Sequence, residues 1–72
     1  MIKPSYALPD QQKKALDYII LHIERHDQSP TLAEIGKAIG SKKQNVRMMI
    51  DALEEKGFIS REPFKQRSIV VL

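Results

Sequence analysis

The stretch Thr31-Leu32-Ala33-Glu34-Ile35-Gly36-Lys37-Ala38-Ile39-Gly40-Ser41-Lys42-Lys43-Gln44-Asn45-Val46-Arg47 decides how this chain folds. It opens with a capping box, in which the Thr31 hydroxyl accepts from the backbone at Glu34 and the Glu34 carboxylate reaches back to Thr31. Leu32, Ile35, Ala38 and Ile39 then give a short helix an apolar inner side. Lys37 in its last turn suits the negative end of the helix dipole, and Gly40 stands where a left-handed residue is wanted to leave it. Gly36, inside the helix, costs about 1 kcal/mol against alanine, so it is expected to allow close approach of a neighbouring helix. A further helix starts at Ser41 or Lys42 and lasts to Lys56, with Val46, Met49, Ile50 and Leu53 repeating along its buried face. Gly57 stops it as Gly40 stops the one before. So few residues separate the two helices that they meet at a sharp angle, which is a helix-turn-helix unit.

Working outward toward the N-terminus, Leu16, Ile19, Ile20 and Ile23 fall on one helical stripe that Ala15 widens, within a helix from about Asp10 to Asp27. Pro9 suits the first turn and Asp10 the positive end of the dipole. Asp27-Gln28-Ser29-Pro30 breaks the pattern. Residues 1–7 are expected to form a flexible leading segment. Toward the C-terminus, Phe58-Ile59-Ser60-Arg61 and Ser68-Ile69-Val70-Val71-Leu72 read as short strands, joined by a loop through Pro63, Phe64, Lys65, Gln66 and Arg67. Such a hairpin is not stable alone and must lean on the helices. Ser29-Pro30-Thr31 is a candidate third strand of two or three residues. The expected fold is mainly α with a small β-hairpin: three helices followed by a wing, the winged helix-turn-helix arrangement.

Composition limits the function. With 72 residues the chain is read as one domain over 1–72, and a chain of this size buries only about 60% of its unfolded surface. A compact binding module fits more easily than an enzyme cleft, and no nucleophile motif or Gly-rich phosphate loop is present. Hydrophobic residues at 42% and charged residues at 29% are ordinary for a globular protein. The absence of cysteine excludes a disulfide framework, a cysteine zinc site and a thiol nucleophile. No apolar stretch approaches the ~18 residues of a membrane span, and Met1 to Tyr6 lack the apolar region of a signal peptide. The expected location is the cytoplasm, on the nucleoid when bound. The net charge of +3 is unevenly spread. Residues 1–36 hold four Lys/Arg and five Asp/Glu, and residues 51–72 hold four of each. Residues 37–50 hold Lys37, Lys42, Lys43 and Arg47 with no acid. A localised basic window is the footprint expected for a polyanion partner.

Three segments resemble a known family. Leu8 through Asp17, Ser29-Pro30-Thr31-Leu32-Ala33-Glu34-Ile35, and Ala52-Leu53-Glu54-Glu55-Lys56-Gly57-Phe58-Ile59 look like the N-terminal DNA-binding domain of the LexA repressor family. The second segment is the most specific. The third is similar to many winged helix regulators, the MarR type included. The resemblance runs from about Leu8 to Leu72 and implies DNA binding and repression. Two departures stand out. The turn from Gly40 to the next helix is one residue shorter than the LexA pattern and closer to the MarR length. Arg47 and Met48 occupy positions where the LexA family has acidic residues, so the operator sequence does not carry over. The family's self-cleaving serine–lysine domain has no counterpart here, and no self-cleavage is expected of this chain.

In a helix-turn-helix the N-terminal part of the second helix enters the major groove. With the recognition helix at about 42–56, that places Lys42, Lys43, Gln44, Asn45, Arg47 and Met48 at the interface. Gln44 and Arg47 suit base edges, Lys42 and Lys43 suit phosphates, and Asn45 suits either. Met48 fits a thymine methyl or peripheral packing equally well. The wing at 62–68, with Lys65, Gln66 and Arg67, is expected over the DNA backbone or minor groove. Phe64 reads as packing rather than a wedge between bases. Backbone N–H groups near Thr31 and Leu32 offer a phosphate site at a helix start. The bland alternative for the helix residues is a solvated end, and for the wing a short charged turn.

His22 and His26 stand four apart on the first helix, yet Glu24 lies at the wrong position for a His-Glu-x-x-His site and no third ligand is evident. They are expected to be partly exposed, with no metal or cofactor, and Tyr6 and Tyr18 read as packing residues. The expected partner is double-stranded DNA, bound singly or as a homodimer, with no membrane and no small-molecule substrate. Two other functions compete: a winged helix module that binds protein, as an accessory subunit or inhibitor, and a non-specific nucleic-acid binder. The acid-free basic window argues against the first, and the mixed Gln44, Asn45 and Arg47 set argues against the second.

Overall fold

In the computed structural model, which describes residues 8–62 and 65–72, three helices precede a two-stranded sheet. The expectations for residues 1–7, Tyr6 among them, and for Pro63 and Phe64 lie outside the described residues. Helix α1 spans Asp10–His26, α2 Leu32–Ile39 and α3 Lys43–Glu55. Strands β1 (Ile59–Ser60) and β2 (Val70–Val71) pair antiparallel, Ile59 opposite Val71 and Ser60 opposite Val70.

The helix ends follow the local chemistry. Pro9 starts α1 and its carbonyl accepts from the Lys13 N–H at 2.9 Å. Asp27, at φ 57°, ends it in the left-handed region. The capping box of α2 is fully formed: Glu34 N–H donates to Thr31 Oγ1 at 3.2 Å, and Thr31 N–H donates to Glu34 Oε1 at 2.8 Å. Helix α3 begins at Lys43, after Lys42 in extended conformation with no side-chain cap. It closes one residue earlier than the spacing suggested, with Phe58 N–H on the Leu53 carbonyl and Gly57 N–H on the Glu54 carbonyl, both at 3.0 Å. That pair of bonds, with Gly57 at φ 84°, is a Schellman motif.

The core draws on the three helices and β1. Ala15, Leu16 and Ile19 of α1, Ile35 of α2, Val46, Ile50 and Leu53 of α3, and Ile59 of β1 are buried together with Leu8 and Ile69. Three details differ from the periodicity. Ala38, expected inside, is exposed, and Ile39 is half-buried. On a wheel of about 100° per residue, Leu32, Ile35, Gly36 and Ile39 share one side and Ala38 falls past its edge. His22, expected to be partly exposed, is buried, because the α1 stripe centres on Ala15, Ile19 and His22 while Ile20 and Ile23 lie half-buried at its flank. The His22 ring is satisfied there: its Nδ1 lies 2.8 Å from the Gln28 carbonyl, and it stacks at a tilt on Tyr18 and His26. Residues 29–31 form no strand. Pro30 has no N–H to give a ladder, and Ser29 ties the hairpin by other means: its Oγ accepts from Ile69 N–H at 3.2 Å and its carbonyl from Arg67 at 3.1 Å.

Candidate nucleic-acid interface

The turn between α2 and α3 sets the interface. Gly40, at φ 73°, lets the chain reverse, and Ser41 N–H closes on the Gly36 carbonyl at 2.9 Å. Burial of Val46, Ile50 and Leu53 fixes the rotation of α3. That rotation leaves Lys42, Lys43, Gln44, Asn45, Arg47 and Met48 exposed, Met48 to 66%. The structure thus brings all six sequence-predicted residues of this helix start onto one accessible end. Among the described residues none of the six has a side-chain hydrogen bond or ion pair, so the side-chain donors of Lys42, Lys43, Gln44, Asn45 and Arg47 face solvent.

Further along α3 the charge changes sign, and the fold disposes of it. Asp51, one turn beyond Arg47, binds the Arg61 guanidinium, which also lies 3.9 Å from Glu54. Arg61 is only 20% exposed, so the base of the hairpin draws these acids to itself. Sequence reasoning assigned Arg61 to a strand and missed this role. Lys56 bonds Gln12 of α1 at 2.8 Å.

The wing residues separate into two kinds. Lys65 and Gln66 are exposed, and Lys65 meets its loop neighbour Glu62 at 3.6 Å. Arg67 is exposed too, at 36%, but its guanidinium is turned to α2, where it meets both oxygens of Glu34, at 3.0 and 3.2 Å. The loop is pinned from inside by Ser68, whose hydroxyl donates toward the Glu62 and Lys65 carbonyls and accepts from Glu62 N–H at 3.1 Å. Among the described residues Glu34 is held well below the ordinary carboxylate range. The Thr31 backbone N–H, and after it the Arg67 side chain, bring its carboxyl down to about 2 from 4.5. Among the described residues no group of His, Asp or Glu side chains is arranged to hold a metal ion, and no helix is long and apolar enough to cross a membrane.

A tight turn between α2 and α3, an exposed basic start to α3 and a hairpin docked beside them define a winged helix-turn-helix domain. Residues 5–68 match the family model of the LexA DNA binding domain. The chain belongs to that family, as the segment from Ser29 to Ile35 suggested. Among curated relatives, the LexA repressor of Anaeromyxobacter dehalogenans strain 2CP-1 is 41% identical over 64 residues, covering 88% of this chain and 28% of the repressor. The LexA repressor of Bacillus mycoides is 38% identical over 66 residues, covering 90% of this chain and 32% of the repressor. The chain therefore spans less than a third of the length of the repressors it matches.

Proposed function

We propose that this chain binds double-stranded DNA in a sequence-dependent way and represses transcription, with the N-terminal half of α3 in the major groove. The observation that carries this reading is the exposed, acid-free set Lys42, Lys43, Gln44, Asn45 and Arg47, whose side chains make no hydrogen bond or ion pair among the described residues, at the start of the second helix of a helix-turn-helix of the LexA family. Arg47 grips guanine and Gln44 adenine, each bidentate pair discriminating by about 1–3 kcal/mol. Lys42 and Lys43 hold phosphates, Asn45 serves either role, and Met48 meets a thymine methyl at the edge. The wing adds backbone contacts from its exposed tip. One module makes a small footprint, and two copies on paired half-sites extend it. The working compartment is the cytoplasm, on the nucleoid.

Fluorescence anisotropy on a pool of random duplex DNA across a salt series tests the reading. The expected result is binding whose log K falls linearly with log salt, by about 0.9 per phosphate contact. Lys43→Ala with Arg47→Ala weakens it and flattens that slope. No binding at about 50 mM salt, where phosphate contacts are strong, would overturn the proposal.

A further inference from the structure

Arg67 has the sequence signature of a DNA contact and the surroundings of something else. Its backbone sits in the left-handed region at φ 55°. Its Nη1 lies 3.0 Å from Glu34 Oε1 and its Nη2 3.2 Å from Glu34 Oε2, a fork on a fork, while Nη1 also donates to the Ser29 carbonyl at 3.1 Å. Bidentate pairs of this kind fix direction as well as distance. The same Glu34 carboxylate accepts from the Thr31 N–H, so one side chain closes the cap of α2 and holds the hairpin. A second tie lies two residues on, where Ile69 N–H donates to Ser29 Oγ. For Arg67 to reach a phosphate it would have to leave both oxygens of Glu34 and strip the Ser29 carbonyl of a donor, at a residue only 4% exposed. Lys65 and Gln66 carry no such tie to the helices.

We propose that Arg67 is a positioning residue: it latches the wing to the N-terminus of α2 through Glu34 and Ser29, and leaves contact with the DNA backbone to Lys65 and Gln66. The proposal rests on the DNA-binding reading above and changes the role given to Arg67 by sequence alone. Glu34 belongs to the interface too, although it is an acid, because its charge orients the wing.

The 72-residue chain is tested with Lys65→Ala, Arg67→Gln, Glu34→Gln and the Lys65→Ala/Arg67→Gln pair, on the random duplex pool over a salt series. Glutamine at position 34 keeps an acceptor for the capping box. Lys65→Ala should lower the salt slope by about 0.9, Arg67→Gln by the same amount, and the pair by no more than either. Glu34→Gln should weaken binding even though it removes a negative charge. Slopes that add to about 1.8 in the pair, or tighter binding by Glu34→Gln, would make Arg67 itself a DNA contact and overturn the latch. Amide hydrogen exchange of the free chain gives a readout without DNA. Arg67→Gln and Glu34→Gln should speed exchange at Ile69 and leave Val46 and Ile50 protected. Unchanged exchange at Ile69 in Arg67→Gln sinks the latch whatever the DNA result. If the wild-type chain binds no duplex, the DNA reading fails, and exchange at Ile69 alone decides whether the wing is latched.

Discussion

At Gly36 the space left for a side chain decides how closely α2 and α3 approach. A Cβ there would stand 2.6 Å from the Ser41 carbonyl oxygen and 3.3 Å from Val46 Cγ2. The nearer atom is backbone in a turn that already bonds to the Gly36 carbonyl, so it has little freedom to yield. Gly36→Ala is expected to destabilise the fold by about 1–3 kcal/mol, the usual range for overpacking. This is the opposite of the gain of up to about 1 kcal/mol that helix propensity alone would give. Urea unfolding of the two chains measures it, and an alanine variant as stable as the parent would show that the turn can shift. The oddity of a glycine inside α2 was legible in the sequence, but its neighbour was not. Arg61 was less legible still. Nothing in its spacing says that a residue just past β1 will reach Asp51 and Glu54 on a helix, because that contact depends on how the hairpin and α3 dock.

Elements were readable where local chemistry governs them. The capping box at Thr31 and Glu34, the left-handed exits at Gly40 and Gly57, and the apolar stripe of α3 all follow from residues a few positions apart. Legibility fell where a partner element intervened. Ala38 was assigned to a face that the short α2 does not bury, and Ser29 to Thr31, only a candidate third strand, form none, with Pro30 unable to donate to a ladder. Glu34 shows how one element depends on another. Its carboxyl is held down to about 2 in the folded chain, first by the Thr31 N–H and then by Arg67, against an ordinary 4.5. A lowered pKa in the folded state means that folding favours the ionised form. The resulting stability is present above about 4.5 and is lost as pH falls toward 2. Glu34→Gln should therefore lower stability at neutral pH and remove part of the decline between about pH 4.5 and 2. Denaturation midpoints of both chains across that window check the sign. Parallel curves would mean that Glu34 titrates alike in folded and unfolded chains.

For the whole molecule, the charge map was the most informative part of the sequence. The acid-free window 37–50 lies over the end of α2, the turn and the start of α3, and the exposed residues there keep their donors free among the described residues. The sequence did not show how the three cations of residues 61–67 divide. Arg61 and Arg67 brace the hairpin, and Lys65 stays at the surface. Duplexes selected from the random pool are expected to carry an inverted repeat with half-site centres about 10 bp, or a multiple of it, apart. A single asymmetric site bound by one chain would remove the paired arrangement and leave the recognition helix unaffected. Leu8 and Ile69, from nearly opposite ends of the chain, meet in one core, both 7% exposed. During synthesis on a ribosome the three helices emerge before Ile69, and that core cannot seal until Ile69 is clear of the exit tunnel. The exposed basic start of α3 thus gains its full support only after Ile69 has been made, and a chain cut short before Ile69 yields basic helices without that part of the core.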